Sequence, residues 1–203
     1  KITKNLALEL NKLFLEVIIA NGFDNSAIKI LKTKKNLRLI DATNYSLEEI
    51  FKYSSFNKDI LVQSEDLNNF TKKHFKIVSK QKPTSKQLKD LIFAFKVCRY
   101  VKSNAIVLAS HETTIGIGSG QTSRLDSCQI AINKMKKFNL YNNNLVAASD
   151  AFFPFVDGIE KLVQSGVKAV VQPAGSIRDE EIIKFANETN TVLLFSKTRH
   201  FKH

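Results

Sequence analysis

Cysteine is almost missing from this 203-residue chain: Cys98 and Cys128 stand alone. Two such isolated residues build no disulfide framework, and without paired histidines they do not compose a zinc site. They point to a reducing, cytoplasmic setting, and their positions on the apolar stripes of two helical patterns mark them as small core side chains. Long hydrophobic runs are missing too. The longest, 167–171 and 192–195, are strand-sized, far short of the ~20 residues that cross a bilayer, so no membrane partner is expected. Proline (3) and glycine (7) are few and form no linker. No signal-peptide pattern opens the sequence, which starts at Lys1; the expectation is that an N-terminal portion lies elsewhere.

Acidic charge is the next shortage, with 19 Asp and Glu against 31 Lys and Arg, a net +12. A basic chain attracts polyanions, which makes a noncatalytic nucleic-acid- or nucleotide-binding domain the rival reading. The charge, however, is nearly all Lys, spread among Asn and Ile as a biased codon composition would spread it. No zinc finger, aromatic RNA-binding signature or dense basic tail accompanies it, so nucleic acid is not the expected partner. Arginine is scarce: Arg38, Arg99, Arg124, Arg178 and Arg199 are all there is. The last three fall in Gly- and Pro-marked segments. In a chain that otherwise writes Lys, they suggest a need for the planar fork that binds phosphate or an amide.

What is present is a globular pattern, 43% hydrophobic and 25% charged. Leucines at 6, 10 and 13 give one side of a first helix, followed by a strand over 15–20, a short helix from Asp24 to about 35 and a strand over 37–40. Between 41 and 82 only short strands at 60–62 and 75–78 stand out. After Pro83 the pattern sharpens. Thr84 or Ser85 caps a helix with apolar residues at 88, 91, 92, 95 and 98. A hairpin (105–109 and 113–117, turning at 110–112) leads into a helix over 124–138. The rest alternates: strand 145–148, helix 157–165 stopped by Gly166, strand 167–171, helix 179–190, strand 191–196. Such alternation implies an α/β layered sheet whose strand-end loops converge on one site.

Those loops carry unusual text. Glycines 116, 118 and 120 either let backbone approach a ligand or make a tight strand-to-helix turn; their spacing fits neither a Rossmann fingerprint nor a P-loop. Residues 152–155, Phe-Phe-Pro-Phe, make a hydrophobic plug or, with Ser149 and Asp150 before them, a pocket wall. Ser176 or Asp179 could serve only as a helix cap, and the tail from Arg199 reads by itself as a frayed, positive end.

Taken in order, SNAIV (103–107), GIGSGQTSR (116–124), SDAFFPFVDGIE (149–160), QPAGSIRDEEII (172–183) and TRHFKH (198–203) resemble the AICAR transformylase domain of the bifunctional PurH family. That family joins 5-aminoimidazole-4-carboxamide ribonucleotide (AICAR) formyltransferase to inosine-monophosphate cyclohydrolase. The likeness is close from about 83 to 203 and looser from 14 to 82, where LEVIIA and ILVQSEDL match. It implies a layered α/β/α sheet of the cytidine-deaminase-like type, with 1–82 ending a first transformylase lobe and 83–203 forming the C-terminal lobe. By resemblance, Asn104, Arg124, Phe152 and Arg199 bind AICAR, and Leu125, Asp157, Ser176 and Ile177 line the pocket for the co-substrate 10-formyltetrahydrofolate. Ala174 and Ser119 are small-for-small departures from the family text. Some relatives hold a monovalent cation near positions 103, 150 and the tail; Ala105 and Lys202 suit it poorly here, and no metal is expected. The resemblance further implies a homodimer and a natural C-terminus at His203.

The implied reaction is difficult because the AICAR amine is conjugated with its ring and is a weak nucleophile. Attack on a formyl carbon needs a base for the amine proton and donors for the oxyanion. In the family a Lys-His pair in a KHxNPCG-like segment does the proton work, beside an SAFGG-like segment. Neither occurs here: the histidines are His74, His111, His200 and His203. No catalytic residue is assigned, and the chain alone is expected to be inactive. A degenerate relative kept as a nucleotide-binding module is a third reading, and salt-dependent oligonucleotide binding with no response to AICAR would favour the nucleic-acid rival.

Overall fold

The computed structural model describes residues 1–45, 51–138 and 144–202, which fall into two compact units, 1–65 and 66–203. In the first, α1 (Lys4–Asn11), β1 (Val17–Ala20), α2 (Asn25–Leu31) and β2 (Arg38–Asp41) precede a hairpin of β3 (Phe51–Phe56) and β4 (Asp59–Ser64). Strands β1 and β2 pair in parallel, and Ala7, Ile18, Ala27 and Leu31 form a small core. The hairpin closes on Asn57 and Lys58, with Asn57 supplying the left-handed φ of 55° that glycine usually provides.

The second unit is built on one mixed sheet. Its elements are β5 (Phe75–Ile77), α3 (Ser85–Cys98), β6 (Ile106–Ser110), β7 (Thr113–Gly118), α4 (Arg124–Lys137), β8 (Val146–Ser149), α5 (Val156–Gln164), β9 (Ala169–Pro173), α6 (Asp179–Glu188) and β10 (Val192–Ser196). The strand order is β5-β10-β9-β8-β6-β7, with β8, β9 and β10 parallel and β6 antiparallel to both β8 and β7. Thus β7, β8, β9 and β10 all run the same way. Their carboxyl ends, and the start of β6, share one edge of the sheet.

Helices cover both faces. Alternation along the central strands sends Ile106, Leu108, Ala147, Val170 and Leu193 toward the α4, α5 and α6 side. It sends Val107, Ala109, Val146, Ala148, Val171 and Leu194 toward α3, where Leu91, Ala94, Phe95 and Cys98 meet them. Helix α3 starts where the sequence says it should. Thr84 accepts the Gln87 backbone N–H at 3.1 Å while the Gln87 side chain accepts the Thr84 N–H at 2.9 Å. Each large side chain that α3 buries contributes roughly 1.5–3 kcal/mol. Asp90 is the buried exception on this helix. Its carboxylate accepts the backbone N–H groups of His111 (3.0 Å) and Glu112 (2.7 Å), the two left-handed residues that turn β6 into β7.

Both cysteines sit in these cores, and burial pushes the Cys128 thiol up to about 12. Among the described residues no helix is long and apolar enough to cross a membrane, and no group of three His, Cys, Asp or Glu side chains could hold a metal ion.

Candidate functional site at the carboxyl edge of the sheet

The glycines at 116 and 118 have a structural job that the sequence does not reveal. A Cβ on Gly118 would lie 1.9 Å from the Ser127 carbonyl oxygen, and one on Gly116 would lie 2.2 Å from that of Ala131. These residues let α4 lie directly on β7. Gly120, at φ +68°, makes the turn that follows. Close packing of α4 fixes where its first residue, Arg124, enters the site.

Arg124 is the hub. Its Nη2 donates to Asn104 Oδ1 and to Asp150 Oδ1, both at 2.9 Å, and its Nη1 donates to the Phe152 carbonyl at 3.1 Å. It thereby ties together the start of β6, the end of β8 and its own helix. The Arg124 side chain is 12% exposed and that of Asp150 is 1% exposed. Removing one partner of such a desolvated pair typically costs about 3–5 kcal/mol. Asn104 is held in turn: its amide donates to the carbonyls of Gln121 (3.0 Å) and Thr122 (3.1 Å), and its own carbonyl accepts from Ser127 Oγ at 2.8 Å.

A cleft of about 320 Å³ opens beside this hub, lined by Asn104, Thr122, Ser123, Arg124, Leu125, Phe153, Pro154, Phe155, Asp157 and Gly158. Four of the eight residues singled out in the sequence therefore share one cavity. Asp157, exposed in the first turn of α5, accepts the Gly158 N–H through Oδ1. Phe153 is the buried plug, its backbone N–H reaching the buried Gln172 side chain at 3.3 Å, whereas Phe152 is half-buried.

Phe152 carries the link to the tail. The Arg199 guanidinium lies 4.8 Å from the centre of its ring, and a Cβ on Gly175 would come within 3.0 Å of Arg199 Nη2. The loop after β9, the loop after β8 and the tail after β10 meet here. Arg199 is exposed, and among the described residues no carboxylate pairs with it. Ser176 and Ile177 do not line the cleft. They occupy the adjoining loop, where Ser176 Oγ accepts the Arg178 N–H and Asp179 accepts the Gly175 N–H, while Ile177 is fully exposed. Arg178 reaches back over the Phe155 ring at 4.9 Å, joining this loop to the cleft wall. The Ala174 departure lies on the loop after β9, and the Ser119 departure on the turn between β7 and α4.

At His200 the tail is held in place rather than frayed. His200 is 2% exposed, its backbone N–H donates to the Asp150 carbonyl at 2.9 Å, and its ring packs against Phe70 and Phe95. The expected terminus, His203, lies outside the described residues. Asp150, read in the sequence with Ser149 as part of a pocket wall, is the buried partner of Arg124. The role of Asp66 escaped the sequence reading: it lies within ILVQSEDL, but nothing in that text marks it as the partner of the His200 ring.

Fold and site together define an α/β protein with a preorganised arginine- and aromatic-lined cleft at the carboxyl edge of a mixed sheet. The family model described as AICARFT/IMPCHase bienzyme matches residues 1–134. The chain belongs to this family. It is 45% identical over 199 residues to the bifunctional purine biosynthesis protein PurH of Persephonella marina, covering 97% of this chain and 38% of that protein. The PurH of Buchnera aphidicola subsp. Schizaphis graminum is 47% identical over 199 residues, covering 95% and 37%. That of Aquifex aeolicus is 43% identical over 203 residues, covering 100% and 39%. The chain thus spans under two fifths of the length of these relatives.

Proposed function

We propose that this chain forms part of the site of an AICAR formyltransferase, in which 10-formyltetrahydrofolate donates a formyl group to the AICAR 5-amino group in purine synthesis. The observation that carries the reading is the meeting of Arg124, Asn104, Phe152 and Arg199 at one sheet edge, in a chain of the bienzyme family. In this reading the lobe is of the cytidine-deaminase-like type, residues 83–203 are its C-terminal lobe, and the intact enzyme is a cytoplasmic homodimer.

Each residue has a task suited to its surroundings. Arg124 has three of its five N–H donors committed to Asn104, Asp150 and Phe152, so it acts as a fixed dipole with Asn104 beside the AICAR carboxamide. Such preorganisation avoids reorganisation at the moment of reaction. Arg199, free of acid partners and stacked on Phe152, is the phosphate or carboxamide receptor. Leu125 and Asp157 give the folate one apolar and one acceptor wall, with Ser176 and Ile177 on the neighbouring loop. In transfer, the amine nitrogen bonds to the formyl carbon, the carbonyl pair moves onto oxygen and returns as the bond to folate N10 breaks. A base takes the amine proton, and N10 takes one as it leaves. No residue of this chain is assigned as that base.

Calorimetry with AICAR tests the reading. Arg124→Lys keeps the charge but loses the fork, and should weaken binding by about 1–3 kcal/mol with the fold intact. Unchanged affinity in this variant would remove Arg124 from the nucleotide site.

A further inference from the structure

Arg199 is a long, exposed side chain, which would ordinarily sample many rotamers. Its backbone is nevertheless pinned one residue later. The His200 side chain is 1% exposed and bonds through Nδ1 to the Asp66 carboxylate. Because an ionised carboxylate only accepts, Nδ1 carries the hydrogen. The ring centre is 4.4 Å from that of Phe95 and 5.2 Å from that of Phe70. Asp66 is fixed from the other side: Arg99 Nη1 donates to the carbonyls of Asn68 at 2.9 Å and of Asp66 at 3.4 Å. A chain of contacts therefore runs from α3 through Arg99, Asp66 and His200 to Arg199 over Phe152.

We propose that the Asp66–His200 pair is a positioning device that holds the Arg199 guanidinium on Phe152, ready for an anionic nucleotide. The proposal rests on the reading of Arg199 as a nucleotide ligand. A buried ring nitrogen is costly to leave unsatisfied, and no packing need explains a half-buried aspartate reaching a buried histidine that packs on Phe70 and Phe95. The hydrogen bond selects one seating of the tail, and that seating places Arg199 beside the Gly175 loop, where the absence of a Cβ leaves room for it.

Two readouts on the 203-residue chain test it: the ring-current shift that Phe152 imposes on the Arg199 δ protons in NMR, and AICAR affinity by calorimetry. His200→Phe keeps an aromatic ring but loses the donor, and Asp66→Leu loses the acceptor. Both should abolish the ring-current shift and weaken AICAR binding about tenfold. Asp66→Asn restores an acceptor for Nδ1–H and should recover most of both. A merely structural role would lower the melting temperature without this rescue. If His200→Phe and Asp66→Leu leave shift and affinity as they are while Arg199→Gln abolishes binding, the positioning role is wrong and the nucleotide site stands. If Arg199→Gln leaves binding unchanged, or AICAR does not bind, the underlying reading of Arg199 fails, which the ring-current shift reports separately.

Discussion

Replacing Gly118 by alanine adds one methyl group, and the structure says where it goes. The new Cβ would sit 1.9 Å from the Ser127 carbonyl oxygen and 2.6 Å from its carbon, both backbone atoms inside α4. No rotamer relieves this, so the helix must lift from β7 or tilt. Overpacking a well-filled core typically costs 1–3 kcal/mol, and a backbone clash inside a helix belongs at the upper end, about 3 kcal/mol. At roughly 2–4 °C per kcal/mol for a unit of this size, the melting temperature should fall by roughly 6–12 °C. Gly166→Ala supplies the control. Unlike Gly118 it has a positive φ, +102°, and nothing lies within 4 Å of its Cβ. That leaves only backbone strain of about 1–2 kcal/mol. Differential scanning calorimetry of both variants is the assay, with AICAR titration beside it, since lifting α4 displaces Arg124. A Gly118→Ala variant that melts within 2 °C (about 0.5–1 kcal/mol) of the parent would refute the claim that α4 is pressed onto β7.

Stability should also depend on pH through His200, whose pKa is held below its ordinary 6.5, first by burial and then by Arg99, against the opposing pull of Asp66 and Asp150. A depressed histidine leaves the unfolded chain binding the extra proton. Its stabilisation is therefore complete above about 6.5 and is lost as pH falls from there to the folded-state value. Melting curves from pH 8 to 5.5 should show this loss, and His200→Phe should flatten it; an unchanged slope would rule it out. The Cys128 thiol, buried and pushed up to about 12, should resist a disulfide-exchange reagent in the native state and react only on unfolding. Prompt native labelling at pH 8 would contradict its burial. The chain alone should release no tetrahydrofolate from 10-formyltetrahydrofolate and AICAR at a meaningful rate, since a positioned base contributes about 10²–10⁴-fold. Robust turnover would place a sufficient base within this sequence.

The second unit was largely legible because its helices and strands obey their periods without interruption. The capping box at Thr84, the stop at Gly166 and the apolar runs at 167–171 and 192–195 each state a local rule that packing then honours. Strand β3 was not legible. Phe51, Tyr53 and Phe56 break strict alternation, and the turn uses Asn57-Lys58 without the glycine that signals a hairpin. The pairing of β5 with β10 joins Phe75 to Ser196, a separation no local pattern encodes. The site was half legible for the same reason. Motifs marked Arg124 and Arg199, but Asp66 lies in the more loosely matching segment ILVQSEDL, and its partner sits at the other end of the unit. The glycines were noticed, yet their cause is a helix packed above the strand, visible only in three dimensions.

The scarcity of arginine has a structural counterpart. Arg99 bonds two backbone carbonyls and lies 4.6 Å from the Tyr100 ring centre. Arg124 divides its fork among Asn104, Asp150 and Phe152. Arg178 covers Phe155 while pairing with Glu181, and Arg199 covers Phe152. Among the described residues, Arg38, exposed on β2, shows no such setting. Lysine offers a point charge with rotatable donors but no plane to stack and no rigid fork. A composition that drives arginine toward lysine would remove these residues first wherever charge alone sufficed. Four of the five remain where two donors or a flat face are in use, three of them at the carboxyl edge and the fourth bracing Asp66. The arginines mark out the site and its support as one connected piece of the molecule, from α3 to the tail.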